Sequence, residues 1–496
     1  MRELLRATTL MTASRIGSLL FAVIGAKVVA LTLEPAGVGV MSQANAYSGL
    51  ATNLLTLGLG VGVTRYVAVY RAQGDTDRLK RLIVTVVGLA LLASAVIALI
   101  LALFAPHIAK LAFGDGASHV QFVVIVTLSV PFSVIATLVL NMLQGFKQVA
   151  TLAQIAVIAA LLHLVLLLAL VPSYRLPGGI YTLAFAAVGN LIVNGWFLVG
   201  FFAREFGTRP STIAANIRTI PRWVDFFALA PLVSYGVSSL VVGGAGSFID
   251  FFTRARILQA FGEAPGGYYQ SAYAISNGYL PLILGAMSTY AFPRFSELAD
   301  TQHIRAEIAT TFRFALLIVV PILVLLMVLA GVLIPLLWSV KFRPSVEILR
   351  GQLLADFFMV TAWAFGIVLL PIKRVRFWLI NSLVTQAVML IGLLVLLPRI
   401  GIMGAVYNLL IAWGVNTAIV YVYLRRALDF SLSTENTTLF VGSLAVVLFA
   451  YVVTMVPGPS ALLSVTALMV WLLRFVRREE LGHARWLIGS FLGPRA

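Results

Sequence analysis

Residues 9–33 read TLMTASRIGSLLFAVIGAKVVALTL, a long apolar stretch interrupted by two cations, Arg15 and Lys27. About 20 apolar residues cross a bilayer as a helix, so the stretch is long enough to span a membrane. A charge at the centre of a helix in lipid costs roughly 2.5–3.5 kcal/mol on insertion scales, so such residues face a cavity, a partner or a pathway. The same exception recurs at Asp250, Arg254, Arg256 and Asp356, which break other apolar runs. The chain is therefore a membrane protein whose membrane part encloses something polar.

Working outward, the 496 residues are 61% hydrophobic with a mean hydropathy of +1.01. They divide into 14 predicted spans: 9–33, 38–68, 82–105, 120–143, 150–171, 180–203, 223–252, 267–292, 309–335, 348–371, 377–397, 402–424, 439–455 and 461–475. The long unbroken runs predict helices rather than the short alternating strands of a barrel. The fold class is all-α and polytopic. No cleavable signal peptide is evident, and the first run is read as the first span. With no cysteine, there is no disulfide framework.

The net charge of +17 is a topology signal rather than a nucleic-acid footprint. With the N-terminus inside, cytoplasmic segments carry 23 Lys or Arg and the opposite side seven. This positive-inside bias predicts both termini in the cytoplasm. The segment 476–496 mixes Arg477, Arg478 and Arg485 with Trp486, Leu487 and Phe491, and reads as an amphipathic helix on the inner leaflet or as a basic tail.

An offset of 229 residues lays the first part of the chain on its second half. Glu34 falls on Glu263, Gly37 on Gly266, Ser42 on Ser271, Arg65 on Arg294, Pro106 on Pro335 and Lys27 on Arg256. This predicts two six-helix lobes, 1–207 and 208–430, in the same orientation and related by an axis along the membrane normal. Two further helices, 431–475, and the tail 476–496 lie outside the repeat. The substrate is expected between the lobes.

Lys27 and Arg256 hold symmetry-related places and could together clamp a phosphate or pyrophosphate. Snorkelling is the alternative for Lys27. Arg254 shares a helical face with Asp250, so the two can neutralise each other. Arg15 lies about 120° round the helix from Lys27 and is a further candidate cation. So is Arg350, with Glu347 as a local partner. Ser42, Asn45 and Asn53 share a face in the second span, and Gln270, Tyr273 and Asn277 do so in the eighth. They either line a cavity, where amides both donate and accept to sugar hydroxyls, or pack helices together. Asp356 has no basic residue three or four positions away and has Gln352 at i−4. It is read as an ion-coupling acid or as a protonated structural Asp, and Asp250 is the second coupling candidate.

Enzyme motifs are poor. Asp75-Thr76-Asp77 is a lone D-x-D that more simply caps a helix. Gly58, Gly60 and Gly62 are read as packing residues inside the second span. No Walker A, H-E-x-x-H or metal cluster is present in the sequence, so no enzyme activity, metal or cofactor is expected.

Two stretches resemble a known family. One is Leu33-Glu-Pro-Ala-Gly-Val-Gly, with Leu57-Gly-Leu-Gly and Val63-Thr-Arg-Tyr-Val-Ala-Val-Tyr70; the other includes Lys341-Phe342, Gln352-Leu-Leu-Ala-Asp356 and Arg376-Phe377. They are similar to Wzx-type polysaccharide flippases of the multidrug/oligosaccharidyl-lipid/polysaccharide exporter superfamily, most of all to the enterobacterial-common-antigen type. The resemblance implies alternating access that moves a polyprenyl-pyrophosphate oligosaccharide to the periplasmic leaflet of a bacterial inner membrane. Membrane lipids, and polysaccharide polymerase and chain-length machinery, are the implied partners, with no nucleic acid. The alternatives are an ion-coupled multidrug exporter of the same superfamily and an integral-membrane glycosyltransferase or ligase. The two additional helices depart from twelve-helix members.

On this reading Lys27→Ala and Arg256→Ala are each expected to abolish export while the protein still inserts, measured as surface polysaccharide beside membrane protein level. Normal export by both variants would remove the pyrophosphate clamp.

Overall fold

The computed structural model describes residues 2–114, 118–206, 229–456, 458 and 460–476. Among them every regular element is helical: fourteen α-helices and one 3-10 turn at Val340–Phe342. Nine of these helices are long and apolar enough to cross a membrane. This is the expected all-α polytopic fold, because a backbone in lipid must satisfy its own hydrogen bonds.

The first unit comprises 1–271 with 335–342. Its helices are α1 (Arg2–Leu55), α2 (Leu59–Gln73), α3 (Thr76–Leu103), α4 (Ala105–Phe113), α5 (Val120–Gly145), α6 (Val149–Phe206) and α7 (Leu229–Phe261), together with the start of α8 (Glu263–Glu297). The second unit comprises 272–334 and 343–496. It holds the rest of α8, most of α9 (Thr301–Leu337), α10 (Ser345–Gly366), α11 (Val375–Ile400), α12 (Met403–Leu428), α13 (Thr434–Met455) and α14 (Ser460–Phe475). The 207/208 boundary read from the repeat and the tail 477–496 lie outside the described residues.

Two helical runs each hold a pair of spans. In α1 the break is at Glu34 (φ 59°), immediately before Pro35. Proline has no N–H to give the helix and disfavours the α conformation in the residue before it. In α6 the break is at Arg175 (φ 52°), between Pro172 and Pro177. Of the remaining spans read from the sequence, those over 223–252 and 267–292 fall on the helices α7 and α8, the former beginning outside the described residues, and the last falls on the shorter apolar helix α14.

The single helix expected over 38–68 does not form, and Gly58 is not a mid-helix packing residue. The chain leaves α1 at Leu55 and turns through Leu57 (φ 53°) and Gly58 (φ 68°) before α2 begins. Glycine suits that left-handed conformation. A Cβ at Gly58 would also lie 2.3 Å from the carbonyl oxygen of Gly236 on α7. Asp75 behaves as the simpler reading had it: its Oδ1 accepts from the Arg78 N–H at 2.9 Å and caps α3.

The first unit is organised by α1, which packs on α5, α6 and α7. One apolar core joins Leu59, Val63 and Val67 of α2 to Leu82 and Val86 of α3 and to Val134, Leu138 and Met142 of α5. Around the α1 kink the packing is backbone on backbone. A Cβ at Gly267 would lie 1.9 Å from Pro35 O, and one at Gly39 2.1 Å from Glu263 O. At the offset of 229 read from the sequence, 35–39 falls on 264–268, so the touching segments overlap positions expected to correspond.

In the second unit α10 packs on α12 and α13, α11 on α12, and α13 on α14. Phe312 of α9 stacks on Phe365 of α10, with centroids 4.8 Å apart. The last two helices are tied down by a buried cation. Arg313 of α9 donates to Glu435 Oε1 at 3.1 Å and to the Phe475 carbonyl at 2.8 Å, the latter near the C-terminus of α14. A cation there satisfies an orphan carbonyl and complements the helix dipole.

Gly267→Val is expected to lower unfolding free energy by about 2 kcal/mol or more, because overpacking here meets backbone rather than a yielding side chain. Gly49→Ala, where an added Cβ meets open space, is the control and should unfold at the wild-type temperature in the same detergent.

Candidate functional site

The candidate charges fall into separate settings. Lys27 is half-buried on α1. Its Nζ donates to the carbonyls of Pro335 (3.2 Å) and Leu336 (2.9 Å), in the last turn of α9. The amine thus caps a helix C-terminus, a function that position in the sequence does not reveal. One turn past the kink-side end of this contact, Lys341 Nζ donates to Glu34 Oε1 at 2.6 Å. That hydrogen bond and the ammonium charge hold the Glu34 carboxyl below the usual carboxylate range, with Arg175 a smaller contributor. Phe342 packs against Trp338 and Tyr268, at centroid distances of 5.5 and 6.4 Å. Residues 335–342 are therefore held in the first unit by two lysines and an aromatic cluster.

Arg256 is half-buried on α7, where its Nη1 donates to Gln259 Oε1 at 3.2 Å, one turn on. Among the described residues neither Lys27 nor Arg256 forms an ion pair, whereas Arg254 does. A guanidinium with one such bond keeps further N–H donors for an anion. The structure gives these two cations separate neutral partners.

Arg254 is 4% exposed. It pairs with Asp250 on the same face of α7, and its Nη2 and Nε donate to Gln270 Oε1 at 3.0 and 3.3 Å. Asp250, Arg254 and Gln270 are thus one neutralised network that binds the start of α8 to α7. Arg15 is exposed on α1. Arg350 is half-buried on α10 and donates from Nε to Met327 O at 3.3 Å.

The polar faces also divide. Ser42 is buried and donates to Gly39 O at 2.8 Å within its own helix. Asn53 donates from Nδ2 to Gly243 O (3.0 Å) and Ser247 Oγ (2.8 Å) on α7, so it ties helices together. Asn45 and Asn277 are exposed, and Tyr273 is half-buried.

Asp356, 6% exposed, lies in the middle of α10. Ser276 Oγ donates to its two oxygens at 3.0 and 2.8 Å, and Tyr279 OH donates to Oδ2 at 2.8 Å. Both donors are on α8. Gln352, one turn before, is 2% exposed, and neither amide atom has a partner among the described residues. Ser276 and Tyr279 were missed in the sequence. Their spacing of three from each other was the available signal, but a hydroxyl three residues from another is ordinary in a membrane helix. Gln43 of α1 was missed as well; it is fully buried with both amide atoms unpartnered among the described residues.

Residues 4–299 match the family described as "Polysaccharide biosynthesis protein". The lipid III flippase of Escherichia coli (strain K12) is 25% identical over 384 residues, which cover 76% of this chain and 88% of that protein. Among solved structures, a multidrug resistance MATE family transporter of the MOP superfamily, in an inward-facing conformation, aligns with a TM-score of 0.66 at 17% identity, covering 84% of this chain and 98% of that one. A MOP superfamily transporter from Pyrococcus furiosus aligns with a TM-score of 0.58 at 14% identity, covering 85% and 95%. At these identities the structural likeness concerns the fold.

Breaking one partner of a buried ion pair leaves a charge uncompensated, which costs about 3–5 kcal/mol when both ends are buried. The Asp250 side chain keeps 37% exposure, so Arg254→Met is expected to cost less, about 2–3 kcal/mol. Asp250→Asn combined with Arg254→Met should recover most of the loss in a double-mutant cycle followed by unfolding in detergent.

Proposed function

The chain belongs to the polysaccharide biosynthesis protein family, and we propose that it is a flippase that moves a polyprenyl-pyrophosphate-linked oligosaccharide across a bacterial inner membrane. The observation that carries this is the similarity that runs through 88% of the lipid III flippase. The fold of MOP transporters supports it. No bond is made or broken: the protein is a transporter, and the lipid-linked oligosaccharide is its substrate.

On this reading both termini face the cytoplasm, as the 23-to-7 bias of basic residues supports. The repeat lobes 1–207 and 208–430 alternate access, 431–475 adds two helices, and the substrate passes from the cytoplasmic to the periplasmic leaflet. Polysaccharide polymerase and chain-length machinery would take up the product.

Lys27 and Arg256 recognise the pyrophosphate. Neither is answered by a carboxylate among the described residues, so each retains a net charge for an anion. Arg15, exposed on α1, and Arg350 are secondary cations along the path. Arg254 serves a different role: Asp250 already neutralises it, and it holds helices together. Asn45, Tyr273 and Asn277 remain candidates for contact with the glycan, while the contacts of Ser42 and Asn53 fit helix packing.

Asp356 is the coupling acid. A carboxylate held by two hydroxyl donors, beside a buried glutamine with unpartnered amide atoms, can take and release a proton or a small cation as α8 and α10 shift.

Reconstitution into liposomes with an undecaprenyl-pyrophosphate oligosaccharide tests the proposal. Protein-dependent appearance of sugar in the opposite leaflet is the expected result, and absence of movement under imposed ion gradients and potential would overturn it. Asp356→Asn is expected to retain binding and to lose at least tenfold of the gradient-stimulated rate; an unchanged response would remove the coupling role.

A further inference from the structure

The first unit contains a cavity of about 470 Å³ between α5 and the two halves of α6. This lies in the range of ~300–1,000 Å³ usual for small-ligand sites. One wall is polar. Ser133, Thr137 and Gln144 recur on α5 at helical spacing, and Asn190 and Asn194 stand one turn apart on α6. The rest of the lining is Ala, Leu and Ile, and it includes no Asp, Glu, Lys, Arg or His.

The amides are set up as acceptors. Asn194 is 2% exposed, and its Nδ2 donates to the Ala136 carbonyl at 3.0 Å. That bond fixes the amide and leaves Oδ1 with no partner among the described residues. Asn190 Oδ1 is buried and in the same condition. Buried polar atoms are normally satisfied, so two unpartnered acceptors on one turn of helix ask for a donor. The Thr137 hydroxyl spends its proton on Ser133 O at 2.8 Å and keeps its lone pairs.

We propose that this cavity binds neutral sugar residues of the transported oligosaccharide. The assignment rests on the flippase reading above and deepens it. A pyrophosphate has only acceptors and needs cations, which the lining lacks. An acyl chain leaves the two amide oxygens unmet. A sugar brings hydroxyl donors for the acceptors and a C–H face for the alanine wall. Gln144, exposed near the 146–148 turn, lies at the end of the cavity that the proposed topology puts on the cytoplasmic side, where the substrate loads.

The test is a binding titration of the full chain in detergent with two probes: undecaprenyl pyrophosphate bearing a short neutral oligosaccharide, and undecaprenyl pyrophosphate without sugar. Asn190→Ala removes an acceptor, and Ala159→Leu fills the cavity. Both are expected to weaken the sugar-bearing probe about tenfold, equivalent to about 1.4 kcal/mol, and to leave the bare lipid unchanged. Ser133→Ala gives the same readout if Ala159→Leu fails to fold. Wild-type affinity for the sugar-bearing probe in all variants would overturn the assignment. Equal weakening of both probes would do so too, by making the cavity a lipid site. Failure of the wild type to bind the sugar-bearing probe would instead overturn the flippase reading, and the sugar site with it.

Discussion

The backbone contact between 35–39 and 263–267 is the constraint on which the rest of the first unit depends. Two helix segments approach until a Cβ would overlap a carbonyl oxygen, and only glycine permits that. Close approach through small residues lets the two backbones pack in van der Waals contact. Once α1 and α8 are locked at this spot, the residues on either side are placed. Pro35 and the Glu34 break set the direction of α1. Gln270 is brought to Arg254, and Tyr268 to Phe342.

Around that contact the charges do structural work of different kinds. Lys27 closes the end of α9, and Lys341 pairs with Glu34. Arg254 is neutralised within its own helix and then joined to the next. In the second unit, Arg313 fastens α13 and α14 to α9. An isolated charge in lipid is costly, and each of these cations recovers the cost through a different partner: carbonyls at a helix end, a carboxylate, or both. Lys27 and Arg256 hold only neutral groups among the described residues.

The polar features divide along chemical lines, and the division fits the proposed lipid-linked oligosaccharide. Uncompensated cations suit the pyrophosphate. The charge-free cavity of α5 and α6, with its amide acceptors, suits hydroxyl groups. Asp356, in the second unit, lies between hydroxyl donors from α8.

The sequence by itself determined the all-helical polytopic class and the residues that carry charge into its apolar runs. These follow from hydropathy and from the cost of burying charge, both of which are properties of local composition. It also exposed the Asp250–Arg254 pair, because partners four residues apart share a helical face. It did not show that residues 38–68 break at Gly58, since a left-handed turn there answers to the approach of Gly236. Nor did it show that Lys27 caps α9, that Ser276 and Tyr279 hold Asp356, or that Asn190 and Asn194 line a cavity with Ser133 and Thr137. Those pairings join residues 53 to 309 positions apart. Only the tertiary structure decided them, because the partner of a polar group in a membrane is chosen by which helices are brought side by side, and that is set by packing rather than by spacing along the chain.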